Sequence, residues 1–365
     1  MQTVAIVGNS DRGRYGHYLD MAFVGVEGAE IIALADPVEE GRLKTAEKTG
    51  ARTAYADYRE MLEKEQPDIT VFASREIGDH FELVTTAQDI GSGTHIYIEK
   101  PVAATPSEVD RMADACEKND KLFIVATPWR GHPPIQHATI PLIKEGKIGE
   151  PRLGRIHGRN GAHGGDQMFL DLYPHFFDFL DQVWGDPLWV HAHITVDGRD
   201  ATPEDLMEGV EGMGLVAGNG IRAYYQFETF AADFEAYEGD HKQPLPYRID
   251  IHGTEGTLSL PGPMSSEPDI YYHPHVAPAL HSDDGWEVFP SEPPPDEHKW
   301  VNAHHRMARS MIDRIEGRDP EYTLLEGRQA RKHLTWAMAA HASHVSGARV
   351  SLPQDISENP FDTWR

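Results

Sequence analysis

Cysteine is nearly absent: Cys116 is the single one among 365 residues. One thiol closes no internal disulfide, so a disulfide scaffold is excluded and a reducing compartment is expected. Positive charge is also scarce. There are 33 Lys and Arg against 59 Asp and Glu, a net charge of −26. Such a surface repels nucleic-acid phosphates and anionic lipid headgroups, so neither is expected as a partner. Long apolar runs are missing too. No stretch approaches the roughly 20 apolar residues of a membrane helix. Val4 to Val7 runs straight into Gly8, and no basic segment with a long apolar run marks a signal peptide. The expectation is a mature cytoplasmic protein. Neither HExxH nor CxxC occurs, and the pairs His157/His163, His191/His193 and His304/His305 have no convincing carboxylate set around them. No metal is expected.

What is present suffices for folding. Apolar residues make up 39%, and a chain this long exceeds one ordinary core, which predicts two domains. Short apolar runs at 3–7, 31–35, 69–72, 95–98 and 122–125 alternate with amphipathic stretches at 18–24, 39–49, 58–65, 81–90 and 106–119. Apolar strands separated by helices predict a doubly wound parallel sheet over residues 1–127. The texture then changes. Helical patterns at 133–145 and 170–184 precede alternating runs at 189–196, 212–216, 221–227, 247–252 and 256–260, and helices at 300–316 and 325–345 follow. That predicts a second domain, 128–365, with a largely antiparallel open sheet covered by helices. On the run 221–227, Ile221, Ala223, Tyr225 and Phe227 share one side, and Arg222, Tyr224 and Gln226 the other. Aromatics on both sides predict that both faces are at least partly covered, hence a homo-oligomer, dimer or tetramer, built on this sheet. Residues 261–299, with Pro293-Pro294-Pro295, read as a long loop: a lid, an oligomer contact or a plain insertion.

Three segments carry chemistry. Gly8-Asn9-Ser10-Asp11-Arg12-Gly13 follows the first apolar run, with a helix expected after it. Glycine is required first for the tight turn and last for close helix–strand packing, while the middle place lets backbone approach a pyrophosphate; here that place is Ser10. Asp36 ends the second run, where an acid accepts ribose hydroxyls or simply caps the next helix. Glu99-Lys100-Pro101 ends the fifth run. A lysine at that edge of a parallel sheet can polarise a substrate hydroxyl, or stand there as an ordinary exposed side chain. Asp171, His175 and Asp178 fall at i, i+4 and i+7, on one helix face apart from the apolar stripe of Leu172, Phe176, Phe179, Leu180 and Val183. That face is expected toward water or a cleft. Asp171 also reads as a helix N-cap, with Pro174 in the first turn.

In this order the segments resemble the glucose–fructose oxidoreductase / inositol dehydrogenase / MocA family. The resemblance extends through Gly146-Lys147-Ile148-Gly149-Glu150, Gly253-Thr254-Glu255-Gly256-Thr257-Leu258 and Gly347-Ala348-Arg349-Val350-Ser351-Leu352-Pro353. It implies a Rossmann domain binding a nicotinamide dinucleotide through residues Gly8, Asn9, Ser10, Asp11, Arg12 and Gly13, with Asp36, Ser74, His80, Glu99 and Lys100. Asp36, which repels a 2′-phosphate, beside Pro37, which supplies no donor, predicts NAD over NADP, a preference that Arg42 softens if the next helix turns it inward. It implies a substrate pocket lined by the catalytic residues Lys100, Asp171 and His175, with Arg130, His163 and Tyr173 touching substrate. It implies oxidation of a secondary hydroxyl of a sugar, sugar derivative or cyclitol. In the second reading NAD stays bound and a transiently oxidised sugar undergoes elimination, hydration or glycosidic cleavage without net redox. Physical chemistry agrees with the first: as hydride leaves carbon, a proton leaves oxygen, and an imidazole titrating near neutrality can take it. On that ground His175 is the expected acid/base and Lys100 the polariser. Three places depart from the family pattern: Ser10, Arg75 in place of proline, and Tyr173-Pro174 before the histidine.

Overall fold

The computed structural model describes residues 1–158, 164–239, 248–261, 270–275, 287–289 and 299–364. The chain divides into two compact units: Met1–Gly131 with Val210–Gly214 and Pro294–Lys332, and His132–Gly209 with Leu215–Pro293 and His333–Arg365. Among the described residues no helix is long and apolar enough to cross a membrane.

The first unit holds parallel strands β1 (Gln2–Val7), β2 (Ala29–Ala35), β3 (Thr53–Tyr55), β4 (Ile69–Phe72), β5 (His95–Ile98) and β6 (Phe123–Val125), with helices α1 (Glu39–Thr49), α2 (Tyr58–Glu65), α3 (Ile77–Asp89) and α4 (Pro106–Lys118). The sheet order is β3-β2-β1-β4-β5-β6, and Leu325–Glu326 adds an antiparallel strand beside β6. The order reverses beside β1, so the crevice outside the carboxyl ends of β1 and β4 is the binding edge of the fold. β3 escapes the sequence reading because three residues on an edge carry no apolar alternation.

The helix expected after the glycine turn does not form. Gly16–Met21 is a short 3-10 segment interrupted by left-handed His17 and Tyr18, at φ 42° and 65°. Consecutive left-handed residues stop an α-helix from propagating. The sheet face it leaves is covered from far along the chain. Helix α7 (Lys299–Ile315) packs Met307, Ala308, Met311 and Ile312 into one core with Leu19, Phe23, Ile6 and Tyr97. The expected 128–365 domain therefore gives up α7. It also gives up residues 210–214, where Arg75 holds Glu211 at 3.0 Å.

The second unit contains helix α5 (Ile140–Lys144), a two-stranded ribbon of β10 (Leu206–Glu208) and β11 (Leu215–Ala217), and a sheet built from β7 (Pro151–His157), β8 (Trp189–Val196) with β9 (Arg199–Asp200) beside it, β12 (Gly220–Gln226), β13 (Ala231–Tyr237), β14 (Arg248–Gly253), β15 (Gly256–Pro261), β16 (Ile270–Pro274) and β17 (Glu287–Phe289). Every pairing is antiparallel except β7 with β13. β16 and β17 replace part of the stretch read as a loop. The run expected at 212–216 divides into a 3-10 turn, Val210–Gly212, and a strand at Leu215–Ala217. One sheet face is apolar: Ile221, Ala223 and Tyr225 are buried beside Phe234. Helix α6 (Gly165–Trp184) lies on it, with Phe169 against Phe234 at 4.9 Å and Phe177 against Tyr225 at 5.0 Å. Helix α8 (Gly327–Ser346) adds Trp336, 5.5 Å from Phe177. The other face exposes Arg222 and Tyr224 in the single chain. Its polar groups satisfy one another, Arg222 to Glu235 at 2.7 Å and His157 to Glu235 at 2.8 Å.

Candidate active site

In the first unit the carboxyl ends of β1, β2 and β4 surround a cleft of about 320 Å3, lined by Gly8, Asn9, Asp36, Pro37, Tyr58 and Ser74 among others. The turn that forms its floor is locally encoded. The Asn9 side chain accepts the N–H groups of Asp11 and Arg12, each at 3.1 Å, as an Asx turn does. Arg12 points outward to Glu76 and Asp79. Gly13 has φ +73°, and a Cβ there would fall 2.4 Å from Ser74 Oγ. Gly8 is needed for a different approach, since its Cβ would meet the Tyr15 ring at 2.2 Å. Backbone, glycines and cleft therefore fit a dinucleotide. The helix N-terminus that would face its pyrophosphate is absent, which corrects the sequence expectation.

Asp36 stands at the end of β2, as expected, but is fully buried. Its carboxylate accepts the Ser10 hydroxyl at 2.6 Å, the Tyr15 hydroxyl at 2.8 Å and the N–H groups of Ser10 and Val38. Ser10 in the middle-glycine place is thereby explained: its side chain serves Asp36. Arg42 is turned inward and donates to the Asp36 carbonyl at 2.7 Å.

At the end of β5 both Glu99 and Lys100 are buried. Glu99 binds the His17 ring through one oxygen and accepts the Lys100 N–H at 3.1 Å through the other. Burial pushes its carboxyl up, but His17 and Lys100 together outweigh that and hold it below the usual range, so Glu99 is ionised. Behind it lies His304 of α7. Burial pushes its imidazole down to about 4, so it is neutral near pH 7. Its Nε2 faces the His17 carbonyl at 3.1 Å, which fixes the proton there, and the Tyr97 hydroxyl then donates to Nδ1 at 2.8 Å. Neighbouring His305 holds the Met21 carbonyl at 3.1 Å. Two adjacent histidines of α7 thus pin the left-handed segment that presents His17 to Glu99. Sequence reading missed His17, Tyr15 and His304. The signal for His17 was its place just past Gly13 and Gly16, in the phosphate-side turn.

Other expected residues are placed less directly. His80 is buried between the carbonyls of Ser74 at 2.9 Å and Val102 at 3.1 Å, where it braces two loops rather than lining the cleft. Arg130 is buried, donating to Thr323 Oγ1 at 2.8 Å and Gln329 Oε1 at 2.9 Å. His163 lies outside the described residues.

In the second unit α6 begins at Gly165, so Asp171 is not an N-cap and Pro174 lies inside the helix. Proline there removes the N–H that would bond the Leu170 carbonyl. Asp171 is half-buried, whereas His175 and Asp178 are buried, which rules out a water-facing polar face. The Tyr173 ring packs against Phe177 at 5.5 Å and belongs to the core. Two buried pairs tie α6 to α8. Asp166 accepts His341 Nε2 at 2.7 Å, and Asp181 accepts His333 Nε2 at 2.9 Å. Asp171 and His175 lie between these anchors, on a helix fixed near both ends.

Comparison with known proteins agrees with this architecture. Residues 3–127 match the family model described as "Oxidoreductase family, NAD-binding Rossmann fold", and residues 140–259 match the GFO/IDH/MocA C-terminal domain. D-apiose dehydrogenase of Paraburkholderia graminis is 26% identical over 264 residues, covering 67% of this chain and 69% of that protein. Myo-inositol 2-dehydrogenase of Thermotoga maritima is 26% identical over 257 residues, 64% of this chain and 75% of that protein. A solved levoglucosan dehydrogenase, in complex with NADH and levoglucosan, shares the fold at TM-score 0.74 and 17% identity, over 97% of this chain and 100% of that one.

Proposed function

The chain belongs to the GFO/IDH/MocA family of oxidoreductases with an NAD-binding Rossmann domain, and from that premise we propose that it oxidises a secondary hydroxyl of a sugar, sugar derivative or cyclitol, using NAD. The observation that carries the reading is the arrangement of the first unit. The glycine-floored cleft lies at the carboxyl ends of β1, β2 and β4, and the buried Lys100 follows the next strand, β5. The relatives support the substrate class, being named for apiose and myo-inositol. When bound, the cofactor supplies the hydride acceptor. The turn from Gly8 to Gly13, with Asp36 and Ser74, cradles it, while His80 and Glu99 act from behind. Asp36 at the end of β2 disfavours a 2′-phosphate, and hence NADP, while Arg42, turned inward beside it, and Arg59 in the cleft lining soften that preference.

In this reading Lys100 polarises the reacting hydroxyl, His175 takes its proton, and Asp171 orients the imidazole or binds a neighbouring hydroxyl. Arg130 is a wall residue of that pocket, whereas Tyr173, packed in the core of α6, supports it from behind. The same proposal places the protein in the cytoplasm, as a homo-dimer or homo-tetramer built on the sheet of the second unit.

The test is a panel of sugars and polyols with NAD and with NADP, followed by NADH absorbance and product mass. Steady NADH formation with a ketone product supports the reading, and product without NADH overturns it. On the substrate so found, His175→Ala is expected to lower kcat by about 10²–10⁴-fold and to lose the inflection near neutral pH. If His175→Ala keeps rate and inflection while Lys100→Met loses the inflection, the base is Lys100.

A further inference from the structure

The acid at the end of β2 is already satisfied. A carboxylate offers about four lone-pair sites, and four donors reach Asp36. Its Oδ2 accepts the Ser10 hydroxyl at 2.6 Å, the Tyr15 hydroxyl at 2.8 Å and the Ser10 N–H at 3.1 Å, and its Oδ1 accepts the Val38 N–H at 2.9 Å. An ionised carboxylate that is fully buried has to be compensated in this way. The Ser10 N–H also reaches Oδ1, at 3.2 Å, so Oδ2 is the crowded oxygen, and a ribose hydroxyl that bonds it replaces one of its donors.

The four are not equally replaceable. Two are backbone N–H groups, and the Ser10 hydroxyl sits on the shortest of side chains, beside its own bonded N–H. Tyr15 differs. Its hydroxyl ends a long side chain that is only half-buried, on a segment where Arg14, His17 and Tyr18 all take positive φ. Its ring also lies across Gly8, so close that a Cβ there would meet it at 2.2 Å. One side chain therefore packs on Gly8 and bonds Asp36, two residues that line the cleft. Burial and the neighbouring Asp36 both push the Tyr15 hydroxyl's pKa up, so it remains a donor.

We propose that Tyr15 is a stand-in for the adenosine ribose: its hydroxyl satisfies Asp36 in the free protein, and a cofactor hydroxyl takes its place on binding. This rests on the NAD reading above. Binding is then an exchange of one O–H donor for another. A ligand that brings a hydroxyl to Asp36 releases Tyr15 at little cost, whereas a 2′-phosphate brings no such donor and leaves Tyr15 where it is. Tyr15 thereby lowers the affinity for an unphosphorylated ribose, and the discrimination against a 2′-phosphate is left to the charge of Asp36 itself.

The experiment is calorimetric titration of wild type and Tyr15→Phe with NAD and with NADP, without substrate. Removing the hydroxyl removes the competitor, and a hydrogen bond to a charged group is worth about tenfold in affinity. Tyr15→Phe is expected to bind NAD about tenfold more tightly, with NADP affinity unchanged. In wild type labelled with 3-fluorotyrosine, the fluorine resonance missing from Tyr15→Phe should move on saturation with NAD. If wild type binds NAD but Tyr15→Phe binds it equally or less well, or the Tyr15 resonance stays fixed, the stand-in role is wrong and the NAD reading stands. If neither protein binds NAD, both fail.

Discussion

His304 shows how a residue remote from the glycine turn controls it. Its ring joins Tyr97 to the His17 carbonyl, so the left-handed backbone at His17 is held by a side chain 287 positions away. Such backbone strain persists only where its surroundings over-determine it. The same burial makes His304 a source of acid sensitivity. Unfolded, a histidine takes its proton near pH 6.5; folded, this one takes it near 4. Glu99 opposes that shift, while His17 and His305 reinforce it. Between the two values the unfolded chain binds the extra proton. The contribution is therefore whole above about pH 6.5 and lost as pH falls toward 4, of order 3 kcal/mol. Urea midpoints measured from pH 7 to 4 should fall more steeply for wild type than for His304→Gln. Parallel slopes would show that the imidazole is already charged in the fold.

Among the elements, α6 and α7 were both legible as helices from their periodicity, but not in what they do. The stripe Met307, Met311, Ile312 says that α7 has an apolar face; it does not say which sheet receives it. For α6 the sequence separated the apolar stripe from the Asp171/His175/Asp178 face, and the structure buries most of both. Its starting point was missed because Gly164 caps it without a side-chain bond. Phe177 is fully buried, between Tyr225 and Trp336, directly behind the turn that carries His175. Phe177→Ala should cost about 3–5 kcal/mol of stability by urea denaturation. It should also lower kcat while leaving NAD affinity unchanged, because the cofactor cleft belongs to the other unit. A cost below 1 kcal/mol would mean that this aromatic cluster is not close-packed.

For the whole molecule, the open face of the second sheet is the feature that a single chain leaves unfinished. Arg222, Glu235 and His157 form a hydrogen-bonded ladder there, while the Tyr224 ring packs tilted against Trp189 at 5.5 Å, beside Arg349. Aromatic and arginine side chains together suit a contact with a second copy of the same face. Light scattering at micromolar concentration should give a dimer or tetramer mass, and Tyr224→Asp should shift it toward the monomer. A monomeric wild type would refute the oligomer.

The sequence by itself determined the order of β1, β2, β4, β5 and β6 and of the helices α1 to α4 between them, the edge where Gly8, Asp36 and Lys100 gather, and the helix that carries Asp171 and His175. Those features are written in short-range periodicity and in turn chemistry, which the local chain obeys. Only the tertiary structure decided that α7 covers the sheet left bare after Gly16, that Tyr15 and Ser10 saturate Asp36, that the stretch after Pro261 contributes strands, and that His175 is buried. Each of these depends on which distant surface an element meets. Periodicity shows that a face must be buried and is silent about its partner, and a carboxylate's position in sequence does not tell which donors reach it.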